Sequence, residues 1–212
     1  MTDVAFVDIS SHYLINLINV TQFTAENVNI VDCQATALFN STGEVFQATG
    51  VSIYGGSSFI AFGISVLNQV VLDLCVVEGH TTSKLMQAEV TSDSGAISIS
   101  NMTASAVTGA TIVSELVAVA GTFISVTDSS LDDVNFSRLF HILTHPTVSP
   151  LTTVDISNVQ FSNCAEYSDV IRVEAVANLT LTNISATNVT ATMFVDMEPL
   201  KSLNQSYVTV KD

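Results

Sequence analysis

The sequence predicts an all-β protein that forms one parallel β-solenoid domain over residues 1–212. Ser and Thr supply 49 of the 212 residues beside abundant Val and Ile, whereas Lys and Arg number only five. That composition favours strands with hydroxyl-rich outer faces over surface helices. A short strand pattern also recurs about every 25 residues, which predicts about eight stacked coils.

The repeated pattern has aliphatic residues at its first and third positions and Asn or Asp at its fifth. It is clearest at 97–101, 124–128, 154–158 and 179–183. Because alternate side chains of a strand face opposite ways, the two aliphatic residues are predicted to point inward. The weaker copies begin with the pairs Val7/Ile9, Val28/Ile30, Val51/Ile53, Leu72/Leu74 and Val208/Val210.

The fifth residue is predicted to turn the chain, since Asn and Asp tolerate the left-handed backbone conformation. In stacked coils such side chains can form a ladder in which each amide bonds its neighbours above and below. A second apolar cluster, such as Val170-Ile171, follows about 15 residues after the clearest anchors and predicts at least two strands per coil. The predicted ladder residues are Asp32, Asn101, Asp128, Asn158 and Asn183.

These coils resemble the right-handed parallel β-helix repeats of the pectin-lyase-like superfamily and of large extracellular surface and adhesin proteins. The resemblance covers nearly the whole chain. It implies a structural or adhesive glycoprotein, such as the repeating unit of a surface fibre or filament. The alternative that it implies is a polysaccharide lyase or glycoside hydrolase. A leucine-rich repeat fits less well, because the chain lacks a helical half-repeat and regular Leu-x-x-Leu-x-Leu spacing.

The charge balance argues against a nucleic-acid partner. Twenty Asp and Glu face five Lys and Arg, a formal charge of −15, so the chain lacks the basic residues that phosphate contacts need.

The apolar stretch 104–126 contains Gly109 and Gly121 among β-branched residues, which favours strands over a membrane span. No signal peptide is visible, because the first residues lack a basic region followed by an apolar one.

An enzyme of this fold is expected to combine carboxylates with a basic residue, or to pair two closely set carboxylates. Asp132-Asp133 lies in a predicted loop, and no basic residue is predicted on a strand beside paired carboxylates, so the sequence predicts no catalytic residue. A basic residue flanked by carboxylates on one strand face would favour the enzyme, and a featureless hydroxyl face the structural protein. The nearest match comprises Asp128, Asp132, Asp133, Arg138, His141 and His145.

No cofactor or metal site is predicted. The four His residues are dispersed, and there is no Asp-x-Asp-x-Asp loop for calcium. Cys33, Cys75 and Cys164 lack paired spacing, and their odd number leaves at least one unpaired within the chain. They are predicted to be small buried hydrophobic residues.

Eight Asn-x-Ser/Thr sequons predict covalent N-glycans, where about three are expected by chance, and so predict an extracellular or cell-surface location. Asn19, Asn40, Asn135 and Asn188 are the first candidates, because their distance from the repeat anchors predicts one shared loop region. The remaining sequons are those of Asn178 and Asn204, and those of Asn101 and Asn183, which are also ladder candidates.

The chain is expected to be a segment of a longer protein or fibre. Val208 and Val210 begin another copy of the repeat, and no amphipathic capping helix is visible at the other end. Solenoid ends expose unpaired strand edges that proteins normally cover. The expected partners are therefore other copies, associated end to end, or flanking repeats of the same chain.

Overall fold

The computed structural model describes residues 1–109, 112–118, 122–135, 138–144, 152–164, 169–176, 178–198 and 207–211. Within these ranges the chain forms β-strands and no helix, and the strands pair in parallel. The strands are β1 (Thr2–Val7), β2 (Ser10–Val31), β3 (Gln34–Thr49), β4 (Ser52–Tyr54), β5 (Ser57–Asp73), β6 (Val76–Glu78), β7 (Thr81–Val90), β8 (Ala96–Ser100), β9 (Thr103–Ser105), β10 (Ile112–Ala118), β11 (Phe123–Asp132), β12 (Arg138–Thr144), β13 (Thr153–Ser162), β14 (Asp169–Glu174), β15 (Asn178–Thr187), β16 (Met193–Glu198) and β17 (Tyr207–Lys211).

Each coil has three facets, as the coil built from β12 and β13 illustrates. Strand β12 is facet A, residues 153–157 of β13 are facet B, and residues 159–162 are facet C. Strand β12 pairs with β10 and β14, while β13 pairs with β11 and β15, so every facet stacks on the same facet of the adjacent coils. The parallel β-solenoid predicted from the sequence is confirmed, with about seven turns of about 24 residues each.

Two left-handed bends shape every coil. Corner 1 lies between facets B and C, corner 2 follows facet C five residues later, and φ at both corners lies between 50° and 65°. Such angles favour Gly, Asn and Asp, which is why these residue types recur there. Corner 1 comprises Asp3, Asn27, Gly50, Leu74, Asn101, Asp128, Asn158 and Asn183. Corner 2 comprises Asp8, Asp32, Gly55, Gly79, Ala106, Asp133, Asn163 and Asn188.

The inward residues of facet B form a continuous apolar core, as the four clear sequence copies predict. These residues are at most 3% exposed, and burying each such side chain contributes about 1.5–3 kcal/mol of transfer free energy. Facet A adds aromatic packing, with the Phe39 and Phe62 rings stacked at 5.1 Å between centroids. The facet B pairs are Ile97/Ile99, Ile124/Val126, Val154/Ile156 and Leu179/Leu181.

The predicted register is wrong in the early coils. Val28/Ile30 and Val51/Ile53 are buried, but they belong to facet C and precede corner 2. Leu74 occupies corner 1 itself and is 54% exposed, because the residue that stacks under Ile97 is Val70. The first predicted pair also fails, since Val7 and Ile9 are 54% and 37% exposed.

No helix of the described residues has the length and hydrophobicity needed to cross a bilayer.

Candidate functional site: the charged outer face of facet A

Facet A presents one polar column to solvent. Because consecutive coils pair in register, residues at the same strand position stack about 4.8 Å apart along the solenoid. The column becomes strongly charged in the upper coils, by which we mean the coils nearer the C-terminus. There an acid, an imidazole, a guanidinium and a second acid follow one another. We call it the polar column: Asn16, Asn40, Gly63, Gln87, Glu115, His141, Arg172 and Asp196.

Arg172 is the centre of the charged part. Its Nε lies 2.7 Å from Glu174 Oε1, and its Nη1 lies 3.2 Å from Asp196 Oδ2. Nη1 also lies 3.7 Å from Asp169 Oδ2, so three carboxylates from two adjacent strands surround one guanidinium. The Arg172 side chain is only 21% exposed, which strengthens these interactions relative to a fully solvated pair.

Asp169 is the most buried acid of the group. Its side chain is 5% exposed, and the Arg138 Nε atom lies 3.6 Å from its Oδ2. With Arg172 on the other side, Asp169 is held between two guanidinium groups. A buried carboxylate without such partners would be costly to ionise, so the two arginines account for its position.

Glu174 links the column to His141. Burial raises the pKa of Glu174, but hydrogen bonds and positive charge from His141 and Arg172 outweigh it, and the net pKa lies below its ordinary value. His141 Nε2 lies 3.0 Å from Glu174 Oε1. Its other ring nitrogen, Nδ1, is buried without a hydrogen-bond partner among the described residues. Glu174 therefore holds a negative charge, the reverse of what a general acid needs.

A second ion pair lies lower on the same facet. Lys84 Nζ contacts Glu115 Oε2 and also donates a hydrogen bond to Gln87 Oε1 at 3.3 Å. Below it, Gly63 leaves the column without a side chain, and a shallow groove of about 190 Å³ opens there. The groove is bordered by Asn40, Ile60, Gln87 and Glu89 on neighbouring strands.

No group of three metal-ligating side chains occurs within the described ranges. On facet A the reason is direct, because the Arg172 guanidinium already occupies the position between Asp169, Glu174 and Asp196 where a cation would sit.

Five of the six residues in the nearest sequence match to an enzyme site lie in the described ranges, and these five do not form one cluster. Asp128 and Asp133 lie at corners 1 and 2, and Asp132 is the last residue of facet C in that coil. Asp132 accepts from Ser162 and Asn163, whose hydrogen bonds lower the pKa of its carboxyl group. Arg138 and His141 do lie on facet A, and His145 lies outside the described residues.

The upper ladder residues are connected as a column of amides. Asn183 Nδ2 donates to Asn158 Oδ1 at 2.9 Å, and Asn158 Nδ2 donates to Asp128 Oδ1 at 2.8 Å. These contacts join three coils at corner 1. A parallel contact at corner 2 connects Asn188 Nδ2 to Asn163 Oδ1 at 3.0 Å.

The lower ladder residues are arranged differently. Asn101 Nδ2 donates to Asp73 Oδ1 at 2.8 Å, because the corner below it is Leu74, which has no acceptor. Asp32 belongs to corner 2 and not to corner 1. Gly55 lies above Asp32, where a Cβ would lie 2.2 Å from Asp32 Oδ1, so a larger residue there would require the Asp32 side chain to move.

The four first glycosylation candidates do not share one loop region. Asn19 follows the facet A part of β2, and Asn40 lies within the polar column. Asn135 is two residues beyond corner 2, and Asn188 is a corner 2 residue. Asn178 begins β15, whereas Asn204 lies outside the described residues.

The three cysteines are buried and unpaired. Burial raises the pKa of the Cys75 thiol to about 12 and raises that of Cys164 as well. A thiol with a raised pKa is a poor nucleophile, so Cys75 and Cys164 contribute packing and not chemistry.

Sequence reasoning missed most of the charged group on facet A. Lys84, Glu115, Asp169, Arg172 and Asp196 are spread over more than one hundred residues of sequence, and only the register of facet A brings them together. The second apolar cluster of the repeat was the available signal, because it marks the facet A strands on which these residues lie.

Comparisons with protein-family models, with curated proteins and with solved structures found no match to this chain.

Proposed function

We propose that this chain is a structural, adhesive segment of an extracellular β-helical glycoprotein, the repeating unit of a surface fibre or filament. The observation that carries the proposal is the recurrence of corners 1 and 2 as eight successive pairs, which span the roughly seven turns. The same two corners repeated along the axis suit a rod that spaces or anchors other domains.

The chemistry of facet A supports the same proposal. Its acids and bases are matched against each other, and the pKa of Glu174 is lowered and not raised. A polysaccharide-cleaving pair needs one carboxyl group that keeps its proton near neutral pH. Ion pairs across successive coils instead help to hold those coils in register.

The proposed partners are other copies of the chain, joined end to end, or flanking repeats of the same polypeptide. Among the described strands β1 pairs with β2 alone, and β17 pairs with β15 alone, so each has an unpaired edge. Phe6, which stacks beneath Ile30, is only partly buried at the lower edge. Covering this edge with another coil would complete both its hydrogen bonds and its apolar contacts.

The test combines the intact mass of the native protein with sedimentation velocity over a concentration series. We expect either a native chain with additional coils or a mass that grows with concentration above 22.5 kDa. Loss of mass on enzymatic removal of N-glycans tests the extracellular part of the proposal. A native chain of 22.5 kDa that stays monomeric at all concentrations would overturn the end-to-end association.

Two substitutions that add the same negative charge test whether the lower strand edge is responsible for association. Phe6→Glu places a carboxylate at the open lower edge and is expected to abolish association. Tyr54→Glu adds the same charge at an exposed position of an interior coil and is expected to leave association unchanged. Equal effects of both variants would indicate general charge repulsion and not edge pairing.

A second candidate function is a carbohydrate-active β-helix enzyme, because Arg172 is flanked by carboxylates on one strand face. Its test is incubation with neutral and uronate-containing polysaccharides, with new reducing ends and unsaturated products measured. The structural proposal expects no cleavage. Cleavage that is lost in Arg172→Ala and kept in Lys84→Ala would favour the enzyme.

A further inference from the structure

The sequon asparagines differ in what their side-chain amide nitrogen does. An N-glycan is attached to Nδ2, so the surroundings of this atom decide whether the folded coil accommodates a sugar. Seven of the eight sequon asparagines lie in the described residues, and they fall into two groups.

In the first group Nδ2 is already a hydrogen-bond donor to the coil below. The distances to the acceptor oxygen are 2.7 Å for Asn40 and 2.8 Å for Asn101. They are 2.9 Å for Asn183 and 3.0 Å for Asn188. Each amide is thereby oriented along the solenoid axis, with neighbouring coils about 4.8 Å away. A sugar ring on that nitrogen would crowd the next coil and turn the amide away from its acceptor.

In the second group the side-chain amide is exposed and makes no hydrogen bond with any described residue. These residues are Asn19, Asn135 and Asn178. The interactions that Asn19 and Asn135 do make pass through their backbone groups. Beside Asn19 a shallow depression of about 240 Å³, bordered by Val20 and Leu67, leaves room for a first sugar residue.

We propose that Asn19, Asn135 and Asn178 carry N-glycans in the folded protein, and that hydrogen bonds between coils keep Asn40, Asn101, Asn183 and Asn188 bare. This inference rests on the proposed extracellular location for the native protein. The three carriers flank facet A: Asn135 precedes β12, Asn19 follows the facet A part of β2, and Asn178 follows β14. Among the described residues, facet C and both corners then remain free of sugar and available for packing.

The test places the full chain behind a cleavable secretion signal in a eukaryotic host, so it does not depend on where the native protein resides. Ser206→Ala removes the sequon of Asn204 throughout. Glycopeptide mapping of the secreted, folded protein should find high occupancy at the three exposed sites and at least tenfold lower occupancy at the four bonded ones. Occupancy at the bonded sites should be enriched in protein retained inside the cell.

Asn158→Ala is the matched variant for Asn183. It removes the oxygen that accepts from Asn183 Nδ2, so occupancy at Asn183 in the secreted protein should rise while occupancy at Asn188 stays low. Asn163→Ala should produce the reverse pattern. Equal occupancy at exposed and bonded sites in the secreted wild-type protein would overturn the proposal. Low occupancy at Asn183 in secreted Asn158→Ala would show that the ladder is not what excludes the glycan.

Discussion

Leu74 occupies corner 1 with a φ of 52°, although neither its size nor its shape suits that conformation. A left-handed backbone costs a residue with a Cβ about 1–2 kcal/mol. Leu74 is 54% exposed, so it recovers little of this through burial. We predict that Leu74→Asn raises the free energy of unfolding, measured by urea denaturation, by about 1 kcal/mol. Asn tolerates the backbone angle, and its side-chain oxygen can accept a hydrogen bond from the coil above.

The control for Leu74 lies two residues earlier. Leu72 is 1% exposed on facet B, so Leu72→Asn is expected to destabilise by several kcal/mol, within the range of about 2–5 kcal/mol for removal of a large core side chain. A Leu74→Asn protein that is less stable than wild type would mean that Leu74 makes a favourable contact that outweighs its backbone strain.

His80 is a buried polar residue whose two ring nitrogens both have hydrogen-bond partners. It is 1% exposed, with Nδ1 lying 2.7 Å from the Gly55 carbonyl oxygen and Nε2 lying 2.9 Å from Ser58 Oγ. Because Nδ1 faces a carbonyl, it carries a proton, while Nε2 pairs with the Ser58 hydroxyl, which also lies 3.2 Å from Thr82 Oγ1. Burial lowers the pKa of His80 below its ordinary value of 6.5, although the hydrogen bond to Gly55 acts in the opposite direction.

The lowered pKa of His80 predicts the direction of a pH dependence. Below about pH 6.5 the unfolded chain binds a proton that the folded chain does not, so the free energy of unfolding should fall as the pH falls from 7 toward 5.5. Urea denaturation at several pH values measures the slope. His80→Gln should flatten it, whereas His12→Gln, at an exposed histidine, should leave it unchanged. Equal slopes in wild type and His80→Gln would contradict this account of His80.

At the scale of the structural element, the ladder at corner 1 has Asn158 as its middle member. Asn158 donates to Asp128, accepts from Asn183 and has a φ of 54°. We predict that Asn158→Leu destabilises the protein by about 1–3 kcal/mol in urea, because it removes both hydrogen bonds and adds backbone strain.

Two variants separate these contributions. Asn158→Gly removes the hydrogen bonds but keeps the favourable backbone, so it should destabilise less than Asn158→Leu. Ser157→Leu changes the outward residue next to the corner, which neither turns the chain nor joins the ladder, and it should have the smallest effect. If all three variants are equally mild, corner 1 is held by the backbone and the ladder adds nothing.

The repeat could be predicted because its corners favour particular residue types. The errors in the predicted register of the early coils have the same origin. Each coil has two left-handed corners five residues apart, and in most coils both corners follow two buried apolar residues separated by one residue. Val28/Ile30 before Asp32 therefore has the same pattern as Ile97/Ile99 before Asn101, although the first belongs to facet C and the second to facet B. A pattern that occurs twice per coil does not reveal which facet it marks.

The charged group on facet A could not be predicted in the same way. Its members are brought together by strand pairing across 24 to 31 residues, and the connections between them vary in length from coil to coil. A single residue of error in one connection would move Arg172 from the outer face to the core. Nothing in the sequence near Arg172 shows that Asp196, one coil later, lies within ion-pair distance.

At the scale of the whole molecule, charge is distributed unevenly over a chain with a formal charge of −15. Three of its five basic residues, Lys84, Arg138 and Arg172, lie on facet A and pair with acids there. The remaining surface is therefore strongly acidic in balance. Lateral contact between two such rods is opposed by repulsion, whereas end-to-end contact between open strand edges is not, which favours single filaments over bundles.

A solenoid in which each coil contacts only its neighbours should tolerate the loss of one complete coil. Deletion of residues 129–158 joins Asp128 to Val159 and places Asn183 directly above Asp128, where its amide can donate as Asn158 does now. On facet A the same deletion stacks Arg172 on Glu115, which keeps opposite charges together. We predict a strand-dominated circular dichroism spectrum, cooperative thermal unfolding, and a rod about 4.8 Å shorter by small-angle scattering.

The matched control removes half as much chain from the same place. Deletion of residues 129–143 joins Asp128 to Thr144, so the facets that follow are out of phase with the coils below, and inward positions meet corners. This protein should lose cooperative unfolding, even though fewer residues are removed than in the full-coil deletion. If the full-coil deletion is as disordered as the half-coil deletion, the coils do not act as independent nearest-neighbour units, and stability depends on contacts that extend beyond adjacent coils.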